Sequence, residues 1–199
     1  MINVVLYRPE KPQNTGNIMR TCVAIHAVLH IIGPLTFSID SKDLKRVGMD
    51  YIDDLKMYFY PTYEDFLAKY KNQEIYYVTR YSQKVYSSFD FSDQVKDIFV
   101  MFGRESTGIP HEILREHPDH LLRLPMVPEA RSLNLSNCVA VIVYEILRQQ
   151  GFGNLLQHCR AIWTAETCGQ GAQQLSQGSQ AGQCESAGMV HKERNNLLT

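Results

Sequence analysis

Residues 1–150 alternate short apolar, β-branched runs with segments of helical period, and no other property of the chain restricts its fold as strongly. Parallel strands need long crossover connections, so strand-helix alternation predicts an α/β domain on a mostly parallel sheet. The expected strands are Asn3–Tyr7, Leu29–Ile32, Lys56–Tyr60, Glu74–Thr79, Ile98–Phe102 and Leu121–Leu124, with helical stretches near 16–27, 41–48, 62–70 and 110–116. A last helix from about Leu133 to Gln150 repeats Leu135, Val139, Ile142, Val143, Ile146 and Leu147 at three- and four-residue steps, which makes one apolar face.

Composition changes sharply near residue 151. Seventeen of the twenty residues from 169 to 188 are Gly, Gln, Ser or Ala, too little apolar surface to offset the entropy of ordering. The expected division is therefore a folded domain over 1–155 and a flexible tail over 156–199, with Phe152, Leu155, Leu156, Ile162 and Trp163 as material for a short docking helix between them. A chain of 199 residues has room for one ordinary domain and an appendage.

Several function classes fall away at this stage. No apolar run approaches the roughly 20 residues of a membrane span, and the first residues lack a signal peptide's basic and apolar regions, so the expected location is the cytoplasm, off the membrane. Twenty basic against 21 acidic residues give a net charge of -1, so a nucleic-acid partner would have to be held by a local patch. The five cysteines form no CxxC pair and are odd in number, which suggests reduced, mostly buried thiols, without a zinc site or a disulfide framework. His111, His117 and His120 could suggest a metal, yet Pro118 breaks any helix that would align them, and surface histidines are the better account.

Three polar segments each follow a predicted strand, at the end of an α/β sheet where ligands bind. The first is PQNTGNIMRTC over 12–22, where Asn14 or Thr15 could cap a helix carrying Arg20. The second, FGRESTGIP over 102–110, is a strand end, a two-glycine loop and a helix start, in which Gly103 allows close backbone approach to a ligand. The third runs from Leu124-Pro125-Met126-Val127-Pro128 through Arg131-Ser132-Leu133-Asn134-Leu135-Ser136-Asn137 into the last helix. GxGxxG, GxxxxGK[ST] and GxSxG are all absent, so dinucleotide-fold, P-loop and α/β-hydrolase readings lose support.

Together and in this order the three segments resemble the motifs of the SPOUT RNA methyltransferases, and over about residues 1–155 the chain looks like the TrmL type, which methylates the wobble ribose of tRNA. The resemblance implies a deep C-terminal trefoil knot, a homodimer and S-adenosylmethionine as methyl donor. Carried over by position, the donor contacts fall on Val78, Gly103, Leu124 and Ser132, and Met126 could add an apolar wall. The groups around the reacting ribose fall on Asn14, Arg20, Glu105 and Asn134, together with Ser132. Arg20 is too basic for a general base, so orienting the ribose or phosphate and stabilising a developing alkoxide is its better role.

For the RNA itself, Lys42, Lys45 and Arg46, with Arg8 and Lys11 near the first motif, are the candidate positive surface, a solvated face being the plain alternative. Tyr144 is a candidate substrate contact or a packing residue; Tyr58, Tyr60 and Tyr63 could stack on unpaired bases or equally pack a strand. The implied substrate is a wobble cytidine or 5-carboxymethylaminomethyluridine in leucine tRNA. A SPOUT enzyme acting at another tRNA position or on rRNA, and a non-catalytic RNA- or cofactor-binding protein, are the competing readings; the complete polar sets of the motifs argue against the last.

Overall fold

The central strand β1, Ile2–Tyr7, is buried at all six positions, as a strand covered on both faces by helices must be. In the computed structural model, which describes residues 1–38, 54–130, 132–153 and 155, β1 is followed by α1 (Pro12–Ala24), β2 (Val28–Ile32), β3 (Met57–Tyr60), α2 (Tyr63–Lys69), β4 (Ile75–Val78), β5 (Ile98–Phe102), α3 (His111–Glu116), β6 (Leu121–Leu122) and α4 (Leu135–Gln149). All of these lie within one compact unit, Met1–Leu155. The helix expected near 41–48, with Lys42, Lys45 and Arg46, lies outside the described residues, as does the segment 156–199.

The six strands form one sheet in the order β3-β2-β1-β5-β4-β6, and every pairing is parallel. Side chains alternate between its two faces. Val4, Leu6, Leu29, Ile31, Val100 and Phe102 pack with Ile18, Met19 and Cys22 of α1 and Val139, Ile142, Val143 and Ile146 of α4. Val5, Tyr7, Ile32, Tyr77, Phe99 and Met101 pack with Phe66 of α2 and Ile113 and Leu114 of α3. The apolar stripe read from the last helix is thus its buried face, each fully buried aliphatic side chain contributing about 1.5–3 kcal/mol.

Two boundaries differ from the sequence expectation for physical reasons. Helix α1 begins at Pro12, not near 16, so Asn14 and Thr15 are buried inside it and Lys11 holds the capping position without a side-chain bond. Helix α4 begins at Leu135 because Asn134 is its cap, its side chain accepting from the Ser136 amide.

A buried polar chain crosses the α2 side of the sheet. His30 is fully buried, its Nε2 3.0 Å from Asn3 Oδ1 and its Nδ1 3.2 Å from Tyr60 Oη, and Tyr60 Oη lies 3.2 Å from Tyr70 Oη. Burial, with help from the Lys69 charge, pushes the His30 imidazole down to about 4. An imidazole that resists protonation when folded contributes stability above its unfolded value near 6.5, and this is lost as pH falls toward 4. Chemical denaturation should therefore register roughly 3 kcal/mol less stability at pH 4 than at pH 7 from this group. Glu145, held at about 2 by hydrogen bonds from Arg148 and Gln149, stays charged in the folded protein throughout that window; a flat profile between pH 7 and pH 4 would contradict the assignment.

Candidate methyl-donor and RNA site

Two glutamates cross between the first and second motifs. Glu105, in the loop after β5, accepts hydrogen bonds from the backbone amides of Glu10 (2.8 Å) and Lys11 (3.2 Å) and from Asn14 Nδ2 (2.9 Å). It supplies the negative charge that the N-terminus of α1 otherwise lacks, since no acidic residue occupies that helix's first turn. Glu10 answers from the other side. Its Oε1 accepts from Arg104 Nε, Arg104 Nη2 and Ser106 Oγ, and its Oε2 from the Ser106 amide, all at 2.8–3.1 Å. Partial burial pushes the Glu10 carboxyl up, but the bonds from Ser106 and the Arg104 guanidinium outweigh it and leave it below its ordinary value.

The third motif joins through amides. Asn134 Nδ2 donates to Asn14 Oδ1 at 2.9 Å, while Asn134 Oδ1 accepts from the Ser136 amide and hydroxyl at 2.9 and 2.7 Å. A continuous line therefore runs from Glu105 through Asn14 and Asn134 to Ser136. Asn134 is both a helix cap and a bridge between segments 120 residues apart. These bonds tie the three loops to one another across the chain.

These loops enclose a cavity of about 610 Å³, within the range of about 300–1,000 Å³ that small-molecule sites occupy. Val78, Leu124 and Met126 give it apolar wall, and Gly103, Ser132, Asn14, Glu105 and Asn134 also line it. All four positions expected to hold the donor are thus brought together, along with every position expected around the ribose except Arg20. The loop's own backbone is a further reason for glycine at position 103. A Cβ there would fall 2.2 Å from the Gly108 carbonyl carbon and 2.3 Å from the Ile109 nitrogen, so it is the loop's own chain that leaves no room. The loop closes on paired backbone bonds between Arg104 and Gly108, 3.1 and 2.9 Å, and Gly108 has φ +74°.

Other expected residues lie elsewhere. Arg20 is on the exposed side of α1 and does not line the cavity; Tyr144 is 49% exposed on α4, close in sequence to the 40%-exposed Val141. Lys45 and Arg46 lie outside the described residues. Lys11 lines the cavity, whereas Arg8 donates through Nε to the Gly33 carbonyl at 3.1 Å. Tyr60 and Tyr63 are buried in the core, which decides for strand and core packing over base stacking, and exposed Tyr58 stacks on His30. The three histidines have separate neighbours: His111 meets Tyr81, His117 stacks on Tyr77, and His120 pairs with Glu74. Among the described residues no cluster of three or more His, Cys, Asp or Glu is placed to hold a metal, and no helix is long and apolar enough to cross a membrane. Burial pushes the Cys22 thiol up to about 12 and raises that of half-buried Cys138, so neither is an activated nucleophile.

Sequence reasoning missed Glu10, Ser106, Arg80 and Tyr81. A signal for the first existed in its position next to the PQNTGN segment, but its partners lie more than ninety residues away. Arg80 and Tyr81 follow strand β4 directly, where an α/β sheet offers its ligand-binding edge.

The model of the SpoU rRNA Methylase family matches residues 1–144. A protein of Listeria monocytogenes serotype 4b (strain F2365), provisionally named a tRNA (cytidine(34)-2'-O)-methyltransferase, is 50% identical over 155 residues, which is 78% of this chain and 92% of that one. A solved structure described as giving insights into the 2-OH methylation of C/U34 on tRNA is 35% identical with a TM-score of 0.70, over 76% of this chain and 97% of that one. An AdoMet-bound rRNA methyltransferase from Sinorhizobium meliloti is 26% identical with a TM-score of 0.67, over 74% of this chain and 56% of that one. The fold therefore has its counterpart in solved methyltransferase structures, and the chain belongs to the SpoU rRNA Methylase family.

Proposed function

We propose that this protein transfers a methyl group from S-adenosylmethionine to the ribose 2'-hydroxyl of the wobble nucleotide of tRNA. The observation that carries the reading is the hydrogen-bonded line Glu105–Asn14–Asn134–Ser136, which holds all three motifs around one cavity. The names of the relatives point to nucleotide 34 of tRNA, with leucine isoacceptors as the expected substrates. The residues present fit the donor: Val78, Leu124 and Met126 offer an apolar slot for an adenosine, and Ser132 and the loop at Gly103 add polar edges. Bound S-adenosylmethionine supplies an electrophilic methyl group on a sulfonium.

The protein's task is to hold the hydroxyl in line and stabilise charge developing on its oxygen. Glu105 has both oxygens engaged by donors from the first motif, so its work is to position α1 and Asn14. Asn14 and Asn134 fix the floor against which the ribose lies. Arg20 orients the ribose or its phosphate and stabilises the alkoxide as the hydroxyl proton passes to water. Because Arg20 lies on the exposed side of α1 and outside the cavity lining, we assign it to the cavity of a second subunit, in a homodimer that uses the half-exposed Val141 and Tyr144 of α4 as contact surface. The trefoil knot, a cytoplasmic location and a dispensable tail after 156 complete the reading.

A ribose in rRNA is the alternative, favoured by the family's description and the Sinorhizobium neighbour. Incubation with methyl-labelled donor and either bulk tRNA or rRNA tests between them. Label in tRNA is expected; label in rRNA alone would move the assignment to the alternative, and label in neither would end the enzymatic reading.

A further inference from the structure

Arg80, Tyr81 and His111 line the same cavity and are not among the residues assigned above to the donor slot or to the hydrogen-bonded line. Arg80 Nη2 donates to Tyr81 Oη at 2.9 Å, and its guanidinium carbon lies 5.0 Å from the centre of the Tyr81 ring. The His111 ring centre is 4.7 Å from that of Tyr81, and Tyr81 nevertheless remains 49% exposed. Arg104, the other arginine of the lining, is neutralised by Glu10. Among the described residues Arg80 has no ion-pair partner within 4.0 Å.

A guanidinium held by an aromatic neighbour but lacking a counter-charge among the described residues, beside a ring left in water, matches the two chemistries of single-stranded RNA: a phosphodiester anion and an unpaired base. The methyl donor offers a carboxylate but no second aromatic group beyond the adenine placed in the apolar slot. Both Arg80 and Tyr81 are exposed, so a ligand touching them extends out of the cavity. We propose that Arg80 and Tyr81, propped by His111, form a subsite for the RNA strand flanking the methylated nucleotide, with Arg80 on a phosphate and the Arg80–Tyr81 pair against a neighbouring base. This rests on the RNA-methylating reading above for the nature of the ligand.

The test is binding, which needs no turnover. Fluorescently labelled bulk tRNA is titrated with wild type, Arg80→Ala, Arg80→Lys and Tyr81→Ala by anisotropy across a salt series, and S-adenosylmethionine is titrated by calorimetry. Arg80→Ala should weaken tRNA binding about tenfold and reduce the slope of log affinity against log salt by about 0.7–0.9, as loss of one phosphate contact requires. Arg80→Lys should restore the slope, and Tyr81→Ala should cost about tenfold in affinity with the slope unchanged. Donor affinity should stay within about twofold throughout, because neither side chain forms the slot. Loss of donor affinity without loss of RNA affinity would assign Arg80 to the donor's carboxylate and overturn the proposal, as would unchanged RNA binding in all variants. Wild type that binds tRNA with these dependencies but never methylates it would sink the enzymatic reading alone; wild type that fails to bind tRNA would sink both.

Discussion

Arg20→Ala should lower kcat by about 10²–10³-fold, the loss typical of removing one donor aimed at developing transition-state charge. Donor affinity should change by less than about twofold, because Arg20 does not line the cavity in its own chain. Its position on the exposed side of α1 carries a further consequence. If each site combines one subunit's cavity with the other's arginine, mixing Arg20→Ala with a cavity-filling Met126→Trp variant must restore activity, since mixed dimers contain one site with both parts intact. Equal loss of donor affinity and turnover in Arg20→Ala would remove Arg20 from the reacting ribose, and two inactive variants that fail to complement would contradict its assignment to the second subunit's cavity.

Gly103→Ala should cost about 3 kcal/mol of stability and abolish measurable donor binding, because overpacking at a site that cannot yield forces the backbone to move. The added methyl group would sit 2.2 Å from the Gly108 carbonyl carbon, and relief requires opening the Arg104–Gly108 bonds that shape the cavity's second wall. Gly108→Ala is the informative control. Its Cβ would meet nothing within 4 Å, but φ is +74°, so only backbone strain of about 1 kcal/mol applies and donor binding should survive. Thermal melts and calorimetry on the two variants separate steric exclusion from conformational strain; equal effects would show that the loop's closure is not what Gly103 protects.

The parts legible in the sequence are those set by local periodicity. Helix α4 could be read because Val139, Ile142, Val143 and Ile146 repeat at helical steps and all four are fully buried. The strands could be read because chains buried on both faces must be mostly apolar, as β1, β2 and β5 are apart from the mutually bonded Asn3 and His30. The start of α1 was misplaced because its N-terminal charge comes from Glu105, more than ninety residues away, and no local capping pattern records such a partner. Asn14 reads from the sequence as a possible cap or a group beside the ribose, whereas in the fold it lies inside α1 and its two amide bonds tie together the other motifs. Tyr58, Tyr60 and Tyr63 could not be separated from spacing alone, since only the packing of α2 against the sheet decides which rings are enclosed. Arg80 and Tyr81 were missed because they carry no glycine or proline to mark a special turn, and only their meeting with His111 in the cavity lining sets them apart.

The central claim is the position and chemistry of the methyl group. Unmodified tRNA should be incubated with the full chain and methyl-labelled S-adenosylmethionine, digested, and its fragments mapped by mass spectrometry. The account predicts one 2'-O-methylated ribose at the wobble nucleotide, absent with Arg20→Ala; a methyl group on a base, or on a ribose at any other position, would contradict it.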